Sequence, residues 1–247
     1  MHVSFGHHKE MRFLLLLLSL PLLAVAGEPK VFSSGENQVH LLELFSSEGC
    51  SSCPPAEQWL GALREAPGLW RDFVPVSFHV NYWDRLGWKD RFANKEFTAR
   101  QYAYSSLWRG ESVYTPEFVL DGAEWRRGPS EKDPTFATKK RAGILTASYS
   151  SDKICRVSFA ATGDYQVHVA LLGGGIVSKI KAGENDGRTL NHEFVAFAFK
   201  TEPLKNGVAE LPLPDATPAG VTRQALVVWV TKRGELAPIQ ATGGWLD

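Results

Sequence analysis

Two cysteines separated by two serines, Cys50 and Cys53, stand between an almost unbroken apolar run, residues 39–45 (VHLLELF), and the stretch PPAEQWLGALREA. The apolar run reads as a buried strand and the stretch after it as a short helix. Two adjacent prolines fit only the first helical turn, where missing N–H groups cost little, so the helix is expected to begin near Ser52, with Cys50 just ahead of it. The thiol pair is therefore confined to the carboxyl end of a buried strand and the amino end of a helix. Orphan backbone N–H groups and the positive end of the helix dipole favour a thiolate there. An unperturbed cysteine of pKa about 8.5 is roughly 3% ionised at neutral pH, whereas one lowered to about 7 is half ionised. Cys50 is the natural nucleophile and Cys53 the thiol that resolves a mixed disulfide. The bland alternative is a structural clip, although a two-residue loop constrains the unfolded chain very little.

The compartment bears on that choice. Arg12 precedes an apolar run that ends in the small residues Ala24, Val25 and Ala26, the pattern of a signal peptide over residues 1–26. Spanning a bilayer needs about 20 apolar residues, so no membrane insertion is expected after cleavage, and the mature chain is expected in the periplasm or outside the cell. Such compartments favour disulfides. Three cysteines are too few for a disulfide scaffold, and the chain is long enough to build its own core. Its 27 basic residues balance 27 acidic ones with no Lys or Arg run longer than two. Nucleic acid and anionic membranes are thereby disfavoured as partners, and no cofactor is implied.

A change of pattern near residue 150 predicts two domains, 36–148 and 150–247. In the first, the opening strand and helix are followed by a strand over 73–83 (FVPVSFHVNYW). A helix over 90–108 carries Ala93, Phe97, Tyr104 and Leu107 at helical spacing. A strand over 116–122 (PEFVLDG), a fourth beginning at AEW and a helix over 130–148 complete the unit. In the second, KICRVSFA places Cys155, Val157 and Phe159 on one face, and YQVHVALL places Val167, Val169 and Leu171 opposite His168. With GIVSKIK, HEFVAFAFK, GVAELPL and QALVVWVTK, these short strands predict an antiparallel sandwich or barrel.

The order strand, CxxC, helix, strand, helix, x-Pro-strand, strand, helix resembles the thioredoxin fold. The expectation is an α/β thioredoxin-like N-terminal domain followed by a mostly-β, sandwich-like C-terminal domain. The resemblance implies that Thr115 and Pro116, in VYTPEFVLDG, form a cis-proline loop presenting backbone groups to an extended substrate opposite the cysteines. ELFSSEGCSSCPPAE, FHVNYWDRLGWKDRFA, RQYAY, VYTPEFVLDG and GENDGRTLNHEFV together are similar to one secreted thioredoxin-like family known only as a domain of unknown function. Departures from thioredoxin are instructive. Leu44 occupies the position of its buried aspartate, Glu43 falls one residue off and so faces away from Cys53, and Gly49 replaces the aromatic residue before the first cysteine.

If strand 73–83 runs parallel to the one before Cys50, both carboxyl ends open on one sheet edge, and Asn81, Trp83, Asp84 and Trp88 rim the thiol pair. Trp83, Asp84 and Trp88 are then candidates for substrate contact and Asp84 for proton transfer. The competing reading has the tryptophans covering the sheet end and Asp84 capping a turn or helix. His79 reads as a core or sheet-face residue, His40, His168 and His192 show no metal-ligand spacing, and Cys155 reads as buried packing. Three functions compete: a thiol–disulfide oxidoreductase acting on an exported protein or small disulfide with an unidentified redox partner, a non-catalytic binding scaffold, and a Cu(I)-handling protein. GENDGRTLNHE reads as an exposed loop that either packs on the thiol site or faces another protein.

Overall fold

The structure is a computed structural model that describes residues 1–3, 28–126, 136 and 138–247. Its strands in chain order are β1 (Lys30–Ser33), β2 (His40–Ser46), β3 (Phe73–His79), β4 (Glu117–Leu120), β5 (Ala123–Glu124), β6 (Leu145–Tyr149), β7 (Ile154–Phe159), β8 (Tyr165–Gly174), β9 (Ile176–Lys179), β10 (Thr189–His192), β11 (Val195–Pro203), β12 (Val208–Pro212), β13 (Arg223–Lys232) and β14 (Pro238–Trp245). Helix α1 (Pro54–Ala62) follows β2, and α2 (Lys95–Leu107) follows β3.

The expected α/β thioredoxin-like N-terminal domain, with a mostly-β C-terminal domain after it, does not form. The described chain is mostly β, and its largest sheet takes strands from both halves in the order β14-β13-β8-β11-β3-β2-β4-β5. The junction is β3 with β11, parallel, where Ser77 N–H donates to the Phe194 carbonyl at 2.8 Å. A free β3 edge would leave a row of unpaired backbone groups; β11 supplies their partners, and no separate α/β sheet results. A second sheet, β1-β6-β7-β12, packs against the β8 and β13 end. The helix expected over 130–148 is also corrected. Residues 145–149 are strand β6, with Leu145 and Ala147 buried in alternation, while 130–135 and 137 lie outside the described residues. So do residues 4–26 of the expected signal peptide.

Strand β2 is buried on both faces, which is why it reads as a continuous apolar run rather than an alternation. Phe45 and Glu43 face α2, touching Tyr104 and Arg100, while Ser46 on the other face bonds Glu57 of α1. The face of α2 that is buried carries Arg100 and Gln101 besides Phe97 and Tyr104, and Leu107 is exposed. Arg100 donates to Glu43 at 2.6 Å and to the Tyr104 hydroxyl at 2.9 Å. This buried ion pair engages Glu43 on the side of the sheet away from α1. Among the described residues no helix is long and apolar enough to cross a membrane.

Candidate functional site

Helix α1 starts at Pro54 with Cys53 as its N-cap, and the two prolines occupy the first two helical positions. Their missing N–H groups leave Ala56 and Glu57 as the first donors, both bonded to the Cys53 carbonyl. Cys50 sits one turn earlier, its N–H on the Ser47 carbonyl at 3.1 Å and its carbonyl accepting from Cys53 N–H at 3.3 Å. The two cysteines form a disulfide with Cα atoms 5.4 Å apart, and neither has exposed surface.

The cover over this disulfide comes from three distant segments. The Thr115–Pro116 bond is cis, and the Thr115 carbonyl oxygen lies 3.8 Å from Cys50 Sγ and 3.4 Å from Ser52 Oγ. Trp83 donates its indole N–H to Thr115 Oγ1 at 2.8 Å. A Cβ at position 49 would stand 3.0 Å from Trp83 Cβ, so Gly49 is the residue that lets Trp83 approach; this accounts for the missing aromatic side chain there. The third segment is the loop at 183–188. Asn185 is fully buried and donates to the carbonyls of Glu48 and Cys50, both at 2.9 Å, while Glu184 accepts from Ser51 N–H at 3.0 Å. The GENDGR loop therefore packs on the cysteine turn.

The other rim residues are placed differently from one another. Trp88 donates to Glu48 at 2.7 Å. Asp84 accepts from Asp90 N–H at 3.2 Å and opens a short 3₁₀ turn, where burial raises its pKa. Asn81 turns toward α2, its side chain accepting from Thr98 at 2.8 Å. Beside the cysteines, Ser52, Pro55, Tyr114, Pro116 and Trp125 line a cavity of about 250 Å³.

A charged cluster lies between α1 and the strand ends and was not foreseen from the sequence. His79 Nδ1 contacts Asp90 at 2.7 Å, and Asp90 also accepts from the N–H groups of Glu48 and Phe92, both at 2.9 Å. His192 contacts Glu57, which also holds the Ser46 hydroxyl. Burial works against the charged imidazolium of His192, but Glu57 and Glu48 outweigh it and hold its pKa up at about 10. Burial likewise opposes ionisation of Glu57, which its two histidine neighbours nonetheless keep below the ordinary carboxylate value. One signal was available: Glu57 follows Cys53 by four residues and so shares its helix face. His79, Asp90 and His192 carry no common spacing.

Fold and site together define a mostly-β protein with a CxxC disulfide seated against a cis-proline turn. Residues 41–231 match the family described as "Protein of unknown function (DUF1223)", and the chain belongs to that family. Its fold is similar to that of protein AGR_C_4864 from Agrobacterium tumefaciens, at 23% identity and a TM-score of 0.59 over 84% of this chain and 94% of that one. HBP35 of Porphyromonas gingivalis is similar at 12% identity and a TM-score of 0.54 over 87% of this chain and 77% of that one. No curated protein matches the chain.

Proposed function

We propose that this protein is a thiol–disulfide oxidoreductase acting on an exported protein or small disulfide. The observation that carries the reading is the Thr115 carbonyl, ahead of a cis-proline, 3.8 Å from Cys50 Sγ. A backbone acceptor beside the nucleophile suits an extended substrate chain laid along the cavity edged by Pro116 and Ser52. In the reducing direction the Cys50 thiolate attacks a substrate disulfide, and the substrate's first sulfur leaves and takes a proton. The Cys53 thiolate then attacks Cys50 in the mixed disulfide, the second substrate sulfur leaves, and the pair ends oxidised with two electrons transferred. An external dithiol restores it; the reverse sequence oxidises a substrate dithiol. On the same reading residues 1–26 are a signal peptide and the site works in an oxidising compartment.

A second reading is a structural disulfide in a non-catalytic scaffold. The complete burial of both cysteines under Trp83, Thr115 and Asn185 favours it, because attack on Cys50 then requires this cover to move. Equilibration of the mature protein with glutathione or dithiothreitol buffers, followed by thiol trapping, separates the two. A reversible two-electron transition between about −270 and −120 mV is expected for a working redox pair. A pair still oxidised below about −300 mV would mark a structural bond instead.

A further inference from the structure

The buried cluster under α1 has an unusual inventory of partners. Glu57, His79 and His192 each offer a donor atom, all within 4.8 Å of one another, and all three residues are buried. His79 Nε2 has no hydrogen-bond partner and no exposed surface. An orphaned buried polar atom costs about 1–3 kcal/mol, and this one is aimed at Glu57. His79 Nε2 stands 3.6 Å from Glu57 Oε1, and His192 turns its Nδ1 to the same carboxylate. Ligand atoms on a tetrahedral Zn²⁺ with bonds near 2.0–2.1 Å lie about 3.4 Å apart.

The surroundings fit the same chemistry. Asp90 takes the Nδ1 side of His79, which orients the ring and points Nε2 toward Glu57. This is the carboxylate–histidine arrangement that supports metal-bound imidazoles. Glu48, held by Trp88, takes the Nε2 side of His192 at 3.3 Å in the same way, and Ser46 holds Glu57. Glu57 and His192 also line a cavity of about 620 Å³ that includes Arg64 and Arg188, giving an ion a path from solvent to a site otherwise closed.

We infer that Glu57, His79 and His192 bind one divalent transition-metal ion of borderline softness, Zn²⁺ foremost. Two imidazoles and a carboxylate suit such an ion better than Ca²⁺ or Mg²⁺, which take oxygen ligands. The inference does not depend on the redox reading, because no cysteine belongs to the site.

The test uses the whole mature protein with its disulfide intact, stripped with a chelator and titrated with Co²⁺, then with Zn²⁺. One Co²⁺ per chain is expected, with the visible bands of a four-coordinate nitrogen and oxygen site, displaced stoichiometrically by Zn²⁺. Glu57→Gln and His79→Gln should weaken binding at least tenfold, while Cys50→Ser with Cys53→Ser should retain it. Absence of saturable binding in the folded wild-type protein would overturn the inference. So would binding that survives Glu57→Gln and disappears with the cysteines. If the histidine variant does not fold, the wild-type spectrum decides, since sulfur ligation and this site give different charge-transfer absorption.

Discussion

All three cysteines have no exposed surface, yet Cys155 and the Cys50–Cys53 pair occupy opposite kinds of interior. Cys155 lies on β7 between β6 and β12, amid Leu145, Val157, Leu211 and other apolar side chains, and burial pushes its thiol up to about 12. Among the described residues no side-chain hydrogen bond reaches it, and exposing it requires separating two sheets. Cys50 meets a carbonyl and a hydroxyl, and its cover is one tryptophan, one threonine and one loop held by a few hydrogen bonds. Burial therefore does not rank these thiols. What has to move to uncover each one does, and local opening of a loop is far cheaper than opening a core.

The sharpest way to break this contrast is to exchange roles. With the oxidoreductase reading, Cys50→Ser brings insulin disulfide reduction down to the uncatalysed rate, whereas Cys155→Ala leaves it within about twofold of wild type. Equal losses in the two variants would mean that the signal reports folding rather than chemistry.

The next largest effect comes from Glu117, just beyond Pro116. Burial raises its pKa from 4.5 to about 7, against the Gln101 side chain that donates to it at 2.6 Å. An acid whose folded pKa is raised binds more protons in the folded state across that window. Stability is then greatest below about pH 4.5 and falls as pH rises to about 7, by up to roughly 3 kcal/mol. Denaturant melts of Glu117→Gln should lack this contribution relative to wild type, and parallel pH profiles would show that Glu117 titrates normally.

Asn185→Ala removes two hydrogen bonds to the cysteine turn, worth about 1 kcal/mol each. Dithiothreitol should then reduce the disulfide about 30-fold faster if opening of this loop gates access. An unchanged rate would transfer the gate to Trp83 and Thr115. The smallest expected effect is the stability cost of Cys155→Ala, about 1 kcal/mol for one lost heavy atom in a packed core. Cys155→Ser should cost more, about 1–3 kcal/mol, because its hydroxyl finds no partner.

Local pattern carried much of the molecule. The strands over 39–45, 165–172 and 224–232 and the helix behind Pro54-Pro55 were legible because each rests on periodicity or on proline chemistry within a few residues, whereas the turn at Thr115-Pro116 came only from resemblance. Glu43 was legible by periodicity too: its alternation with Leu44 turns it away from Cys53, and its partner Arg100 lies on the opposite side of the sheet from α1. The fold class was misread for the opposite reason. Pairing of β3 with β11 joins residues more than a hundred positions apart through backbone groups that every residue possesses, so no side-chain pattern announces it, and strand order alone suggested a self-contained α/β unit.

The site divides in the same way. The sequence by itself determined that two thiols stand where a buried strand hands over to a helix, since hydrophobic runs and prolines act on their own neighbours. Only the tertiary structure decided that Asn185 locks the cysteine turn, that Trp83 closes over Gly49, and that Glu57, His79, Asp90 and His192 share one interior. Those meetings depend on the register of strands distant in the chain, and register is set by the packing of the whole sheet.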